Sequence, residues 1–113
     1  MTKSVCVFCG SRDGNLAEFR EVAVELGHSL AKAGINLVYG GGQVGLMGHL
    51  ARAALAEGGH VTGIIPEFLN KREIRFDDVS LVVETKTLRD RIKQMEEYSD
   101  VFVVLPGGIG TLD

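Results

Sequence analysis

The sequence predicts an α/β fold: a doubly wound parallel sheet with helices on both faces. Three observations carry that expectation. Apolar, β-branched runs recur along the chain, at SVCVFC (4–9), INLVY (35–39), HVTGII (60–65), SLVVE (80–84) and VFVVL (101–105). Amphipathic helical patterns fill most of the gaps between them. Two tight glycine clusters follow directly on two of the runs. Strand–helix–strand repetition implies right-handed crossovers and a parallel sheet covered on both sides. Ligands of such sheets sit beyond the carboxyl ends of the strands, so both clusters fall on the ligand edge.

In chain order, the first run is a strand that ends in a Gly-Ser turn. The first helical stripe is Leu16, Phe19, Val22, Ala23, Leu26 and Leu30, with Asn15 as N-cap and Gly34 just past the end. A second stripe, Leu46, Leu50, Ala53 and Ala54 with Leu55 as an optional member, stops at Gly58-Gly59. The stretch from Glu67 to Asp78 is polar and irregular, a short helix or a flap. A third stripe is Leu88, Ile92 and Met95, with Arg89 and Arg91 on other faces. The last run, VFVVL, is continuously apolar, as expected of a strand buried on both faces.

Composition narrows the function. The chain has 113 residues, 45% of them apolar and 24% charged, the pattern of one ordinary globular domain and not of a disordered or fibrous chain. A net charge of −3, no Trp and only 6% aromatic residues argue against nucleic acid as a partner. No apolar run approaches the roughly 20 residues of a membrane span, and MTKSVCVFCG lacks the long apolar region of a signal peptide. A cytoplasmic protein with no membrane partner is the expectation. Residues 1–113 are expected to form a single domain. The chain stops at Asp113, where a helix should begin, so it reads as the N-terminal part of a longer domain, missing C-terminal helices and strands; a naturally short chain is the alternative.

Glycine is the outlier, at 15 residues. In PGGIGT, Pro106 ends the strand and Gly107, Gly108 and Gly110 free the backbone to turn N–H groups toward one point. Thr111 is a natural N-cap, and converging amides at a helix start form an anion site. The chemistry expected is phosphate binding; the bland reading is a tight turn. Gly40, Gly42 and Gly45 have G-x-G-x-x-G spacing, but after the second strand and with no acid at a strand end about twenty residues on. A second phosphate or ribose contact is favoured there over a nicotinamide cofactor, and close helix–strand packing is the bland alternative.

Cys6 and Cys9 have C-x-x-C spacing, yet an odd separation on a strand sends them to opposite faces, so both read as core cysteines. His28, His49 and His60 show no ligand spacing, and no metal or other cofactor is expected. An Arg near the ligand edge can clamp a phosphate or steady a developing charge. By composition alone, Arg91 and Glu73 are more readily solvated surface charges.

CVFCGS, VYGGGQVGLMG (38–48), the spacing of Arg91 and Met95, and SDVFVVLPGGIGTLD (99–113) together resemble the LOG family, the cytokinin riboside 5′-monophosphate phosphoribohydrolases, often mislabelled lysine decarboxylases. The resemblance implies a Rossmann-like fold, a homodimer, and hydrolysis of the N-glycosidic bond of a nucleoside 5′-monophosphate (a cytokinin nucleotide, AMP or both) to free base and ribose 5-phosphate. It places the catalytic arginine on Arg91 and substrate-binding roles on Glu73, Arg91, Gly41, Gly42, Gly107, Gly108, Ile109, Gly110 and Thr111. Ile92 stands where the family commonly has Lys. The catalytic glutamate of the PGGxGTxxE signature would follow Asp113, so these 113 residues alone are expected to be inactive. The rival reading is a non-catalytic carrier of a nucleotide or phosphate-bearing cofactor on the same fold.

Overall fold

The computed structural model describes residues 3–9 and 17–105. Five strands, β1 (Ser4–Phe8), β2 (Asn36–Tyr39), β3 (Val61–Pro66), β4 (Leu81–Thr85) and β5 (Val101–Val104), form one sheet in the order β4-β3-β2-β1-β5. Every neighbouring pair is parallel. Three helices, α1 (Ala17–Lys32), α2 (Gly45–Ala56) and α3 (Leu88–Tyr98), make three of the four crossovers, and the stretch between β3 and β4, opened by a 3-10 turn at Glu67–Leu69, makes the fourth. The chain steps outward from β1 to β4, then returns to lay β5 on the other side of β1. The order therefore reverses between β1 and β5, the place where doubly wound sheets hold ligands.

Strand alternation sorts the core into two layers. Val7, Leu37, Tyr39 and Val61 pack with Ala23, Leu30, Leu46, Leu50 and Ala54 under α1 and α2. Cys6, Val38 and Ile64 pack with Met95 under α3. Helices thus cover both faces, as expected. Cys9 belongs to the first layer and Cys6 to the second, so the two thiols do lie on opposite faces. Gly27 sits in the α1–α2 seam, where a Cβ would stand 2.5 Å from the Leu50 carbonyl oxygen. Helix ends follow the glycines: Gly34 and Gly58 take φ of +72° and +76°, the left-handed region that stops a helix. Asn15 and Leu16 lie outside the described residues.

Three expectations fail. β5 is not buried on both faces: Val101, Phe102 and Val104 are exposed. Among the described residues it is an edge strand, paired only with β1; β3 is the strand buried at every position. Val22 is exposed, because α1 turns Ala23, Gly27 and Leu30 inward. In α3, Leu88 and Ile92 are exposed and only Met95 is buried. The helix is turned so that Arg91, one turn before Met95, lies over the sheet instead.

Candidate functional site

The turn after β2 is built from glycine for stated reasons. Gly41 has φ +82°, a conformation L side chains rarely adopt, and a Cβ there would stand 3.1 Å from the Ile65 Cβ. The carbonyls of the turn are each held by a different element. Gly42 O accepts from the Tyr39 hydroxyl at 2.8 Å. Gly41 O accepts from the Phe76 amide at 2.9 Å. Gly40 O accepts from Arg91 Nη2 at 2.6 Å.

Segment 72–76 straps this turn from outside. Gln43 N donates to Ile74 O at 2.9 Å, Gln43 Nε2 donates to Arg72 O at 3.2 Å, and Gly42 forms an antiparallel bridge with Arg75. Arg52 of α2 donates to Gln43 O at 3.1 Å and lies over the Phe76 ring. Phe76 and Val79 are buried beneath the strap, which explains how a polar stretch holds its place. Asn70 Nδ2 and Glu84 Oε2 hydrogen-bond from the strap to β4.

Arg91 reaches the same turn from the opposite face. Thr87 caps α3, its hydroxyl accepting from the Asp90 amide at 3.1 Å. Burial of Met95 contributes about 1.5–3 kcal/mol to docking that helix. Arg91 Nε then donates to Ile64 O at 3.0 Å while Nη2 takes Gly40 O. A Cβ on Gly40 would collide with Nη2 and stand 2.8 Å from Met47 Cε. Gly40 is glycine because the guanidinium fills that space. Burial pushes the Arg91 pKa below its ordinary value, opposed by Cys6, yet a guanidinium stays charged in proteins. Both partners are neutral carbonyls. Among the described residues no carboxylate pairs with it, so a partly buried positive charge stands uncompensated at the carboxyl edge of the sheet.

Several expected site residues come together here. Gly41, Gly42 and Arg91 share the turn, and Glu73 lies exposed on the strap between the two residues that bond Gln43. Gly107, Gly108, Ile109, Gly110 and Thr111 lie outside the described residues. The chain reaches that loop through Leu105, buried, with its amide on Phe8 O at 2.9 Å; the approach is thus at the β1–β5 reversal. Arg91, Ile65 and Met47 are the side chains nearest to Gly40, Gly41 and Gly42, and Gly45 of the G-x-G-x-x-G spacing opens α2 at φ +63°. β3 runs to Pro66, which sets Glu67 directly after a strand, contrary to the sequence expectation that no acid stands there. Sequence reasoning missed Tyr39, Met47, Phe76 and Arg52. Phe76 and Val79, apolar residues within a mostly charged stretch, were the available signal.

A family model described as "Possible lysine decarboxylase" matches residues 47–113, more than half of the chain. The chain belongs to that family, of which LOG proteins are members. Among its relatives is the cytokinin riboside 5′-monophosphate phosphoribohydrolase LOG1 of Arabidopsis thaliana, 45% identical over 98% of this chain and 52% of its own length. A probable enzyme of the same description from Oryza sativa subsp. japonica is 47% identical over 98% and 49%. The LOG-type chain therefore spans about half the length of the curated relatives it matches. Among solved structures, the molybdenum cofactor binding protein of Rippkaea orientalis superposes with a TM-score of 0.82 at 25% identity, over 99% of this chain and 67% of its own. Among the described residues, no helix of this LOG-family chain is long and apolar enough to cross a membrane.

Proposed function

We propose that the whole protein hydrolyses the N-glycosidic bond of a nucleoside 5′-monophosphate, a cytokinin riboside 5′-monophosphate or AMP, releasing free base and ribose 5-phosphate. One observation carries the reading: the Arg91 guanidinium, pinned by Gly40 O and Ile64 O with no acid beside it among the described residues. Such a charge calls for an anionic ligand or for negative charge on a reacting group. The identity to curated phosphoribohydrolases supports the choice of reaction.

N-glycoside cleavage passes through an oxocarbenium-like state, as O-glycoside cleavage does, and a carboxylate near the sugar stabilises it or activates water. In this scheme Arg91 orients the nucleotide or that carboxylate, and Glu73, on the anchored strap, contacts substrate. Gly41, Gly42 and the loop Gly107, Gly108, Ile109, Gly110 and Thr111 line the phosphate side, and phosphate binding fixes the ribose. No metal or other cofactor enters. The reaction is proposed for the whole protein, since these 113 residues span about half the length of the curated relatives. The protein works as a homodimer in the cytoplasm; the family resemblance supports the dimer, and two free buried thiols suit a reducing compartment.

The test is product analysis. The whole protein is incubated with AMP and with isopentenyladenosine 5′-monophosphate, and free base is separated by chromatography. Base release from either is expected. Tight nucleotide or cofactor binding with no base released would favour the second reading, a carrier, which the likeness to the molybdenum cofactor binding protein keeps in view.

A further inference from the structure

Tyr39 ends β2 fully buried, its ring in the layer under α1 and α2. A Cβ on Gly63 of β3 would stand 2.8 Å from Gly41 Cα and in ordinary contact, 3.5 Å, with Tyr39 Cε1, so this glycine makes room for the turn beside the ring. The hydroxyl donates to Gly42 O, three residues on. Burial raises the phenol pKa above its ordinary value, so the hydroxyl stays protonated, and a donor, well into the alkaline range.

The turn it holds is the one Arg91 depends on. Glycine has more backbone freedom than any other residue, so three glycines in a row do not define their own path. The path is set from outside, by Tyr39 at Gly42 O and the Phe76 amide at Gly41 O. Gly40 O, one peptide further back, is the acceptor of the 2.6 Å bond from Arg91. Without the hydroxyl, a buried carbonyl loses its donor and the turn can relax toward another one.

We infer that Tyr39 is a positioning residue: through the Gly40–Gly42 turn, its hydroxyl sets where the Arg91 guanidinium stands. The link runs across the sheet, from a ring on the α1–α2 face to a cation on the α3 face. For its effect on turnover the inference rests on the proposed phosphoribohydrolase reading; for its effect on Arg91 it does not.

The experiment compares Tyr39→Phe with wild type in two ways. Hydrogen exchange of the Arg91 Nε–H, followed by nitrogen-15 NMR, reads the guanidinium directly. It is expected to accelerate by about tenfold relative to the β2 backbone amides, the loosening that loss of one buried hydrogen bond brings. Turnover of nucleotide is expected to show kcat lowered about tenfold with KM within about twofold, the pattern of a misplaced group acting in the transition state. In an Arg91→Ala background the same change should alter kcat by less than about twofold, because the hydroxyl acts through Arg91. Equal loss of kcat in both backgrounds, or unchanged Arg91 exchange, overturns the inference. If wild type releases no base, the reaction assignment fails, and the exchange measurement still decides the role of Tyr39.

Discussion

Gly40→Ala separates the position of Arg91 from the stability of the fold. The backbone at Gly40 is not left-handed, so alanine brings no torsional strain. Its Cβ would collide with Arg91 Nη2 and stand 2.8 Å from Met47 Cε. Both are far ends of flexible side chains, which yield more readily than backbone. To restore ordinary contact Nη2 must retreat by about 1 Å. The bond from Nη2 to Gly40 O measures 2.6 Å, and a stretch of that size takes it to about 3.6 Å, where it is no longer a hydrogen bond. Loss of one charge-assisted bond on a partly exposed group costs about 1–2 kcal/mol, a fall of roughly 5–10 °C in Tm for a domain of this size. Turnover suffers more, by about 10²-fold, because a displacement of about 1 Å is enough to spoil a reacting geometry. Gly34→Ala is the control. It sits at φ +72° with nothing within 4 Å of its Cβ, so it costs about 1 kcal/mol and leaves turnover untouched. Unfolding curves and initial rates on both variants decide the matter. Full activity in Gly40→Ala, at any stability, would refute the claim that this glycine exists to seat the guanidinium.

Arg91→Ala in the whole protein is expected to lower kcat by about 10²-fold, as loss of a transition-state contact does; a tenfold rise in KM at unchanged kcat would make it a uniform binding residue instead. The buried thiols give an alkaline limit to stability. Burial pushes the Cys6 pKa up to about 11 and Cys9 up to about 12, from 9.0. Between pH 9 and those values the unfolded chain sheds protons that the folded chain keeps. Stability is therefore full below pH 9 and falls as pH rises through about 11 and 12, by up to about 1.4 kcal/mol per pH unit for each thiol. Urea titrations at pH 7, 9 and 10.5 should show the decline, and Cys6→Ala should remove one proton's share of the slope.

The strands were legible because their runs alternate or stay apolar within sharp boundaries, and Ser4–Phe8, Asn36–Tyr39 and Leu81–Thr85 match them to within a residue or two. The environment of a strand was less so. VFVVL has the composition of a doubly covered strand, but burial depends on what lies beside it, and β5 has β1 alone among the described residues. The rotation of α3 was hidden for a similar reason. Leu88, Ile92 and Met95 make the better apolar stripe on paper, yet the helix sits against a sheet edge where two carbonyls await a donor. Arg91 satisfies them. Family resemblance pointed to Arg91; residue chemistry alone favoured a solvated charge. The contacts of Tyr39 and Met47 join residues through a turn whose path no periodicity describes.

The uncompensated guanidinium makes one more outcome calculable. Two neutral carbonyls offset part of the cost of withdrawing Arg91 from water, and a buried charge without a counter-charge adds little to stability. Arg91→Met keeps a similar stem and removes the charge. In the absence of ligand it should lie within about 1 kcal/mol of wild type, since the two abandoned carbonyls lose about what desolvation had cost. An anionic ligand changes the comparison. A nucleotide monophosphate at a hundredfold excess over its Kd raises wild-type stability by about 2.7 kcal/mol, and the variant should gain little. Residues selected to hold a ligand are ones the empty fold can spare, and a residue selected to hold the fold is not. A loss of 3 kcal/mol or more in ligand-free Arg91→Met, with nucleotide stabilising both proteins equally, would make Arg91 a strut between α3 and the turn, and the anion would have to be held elsewhere.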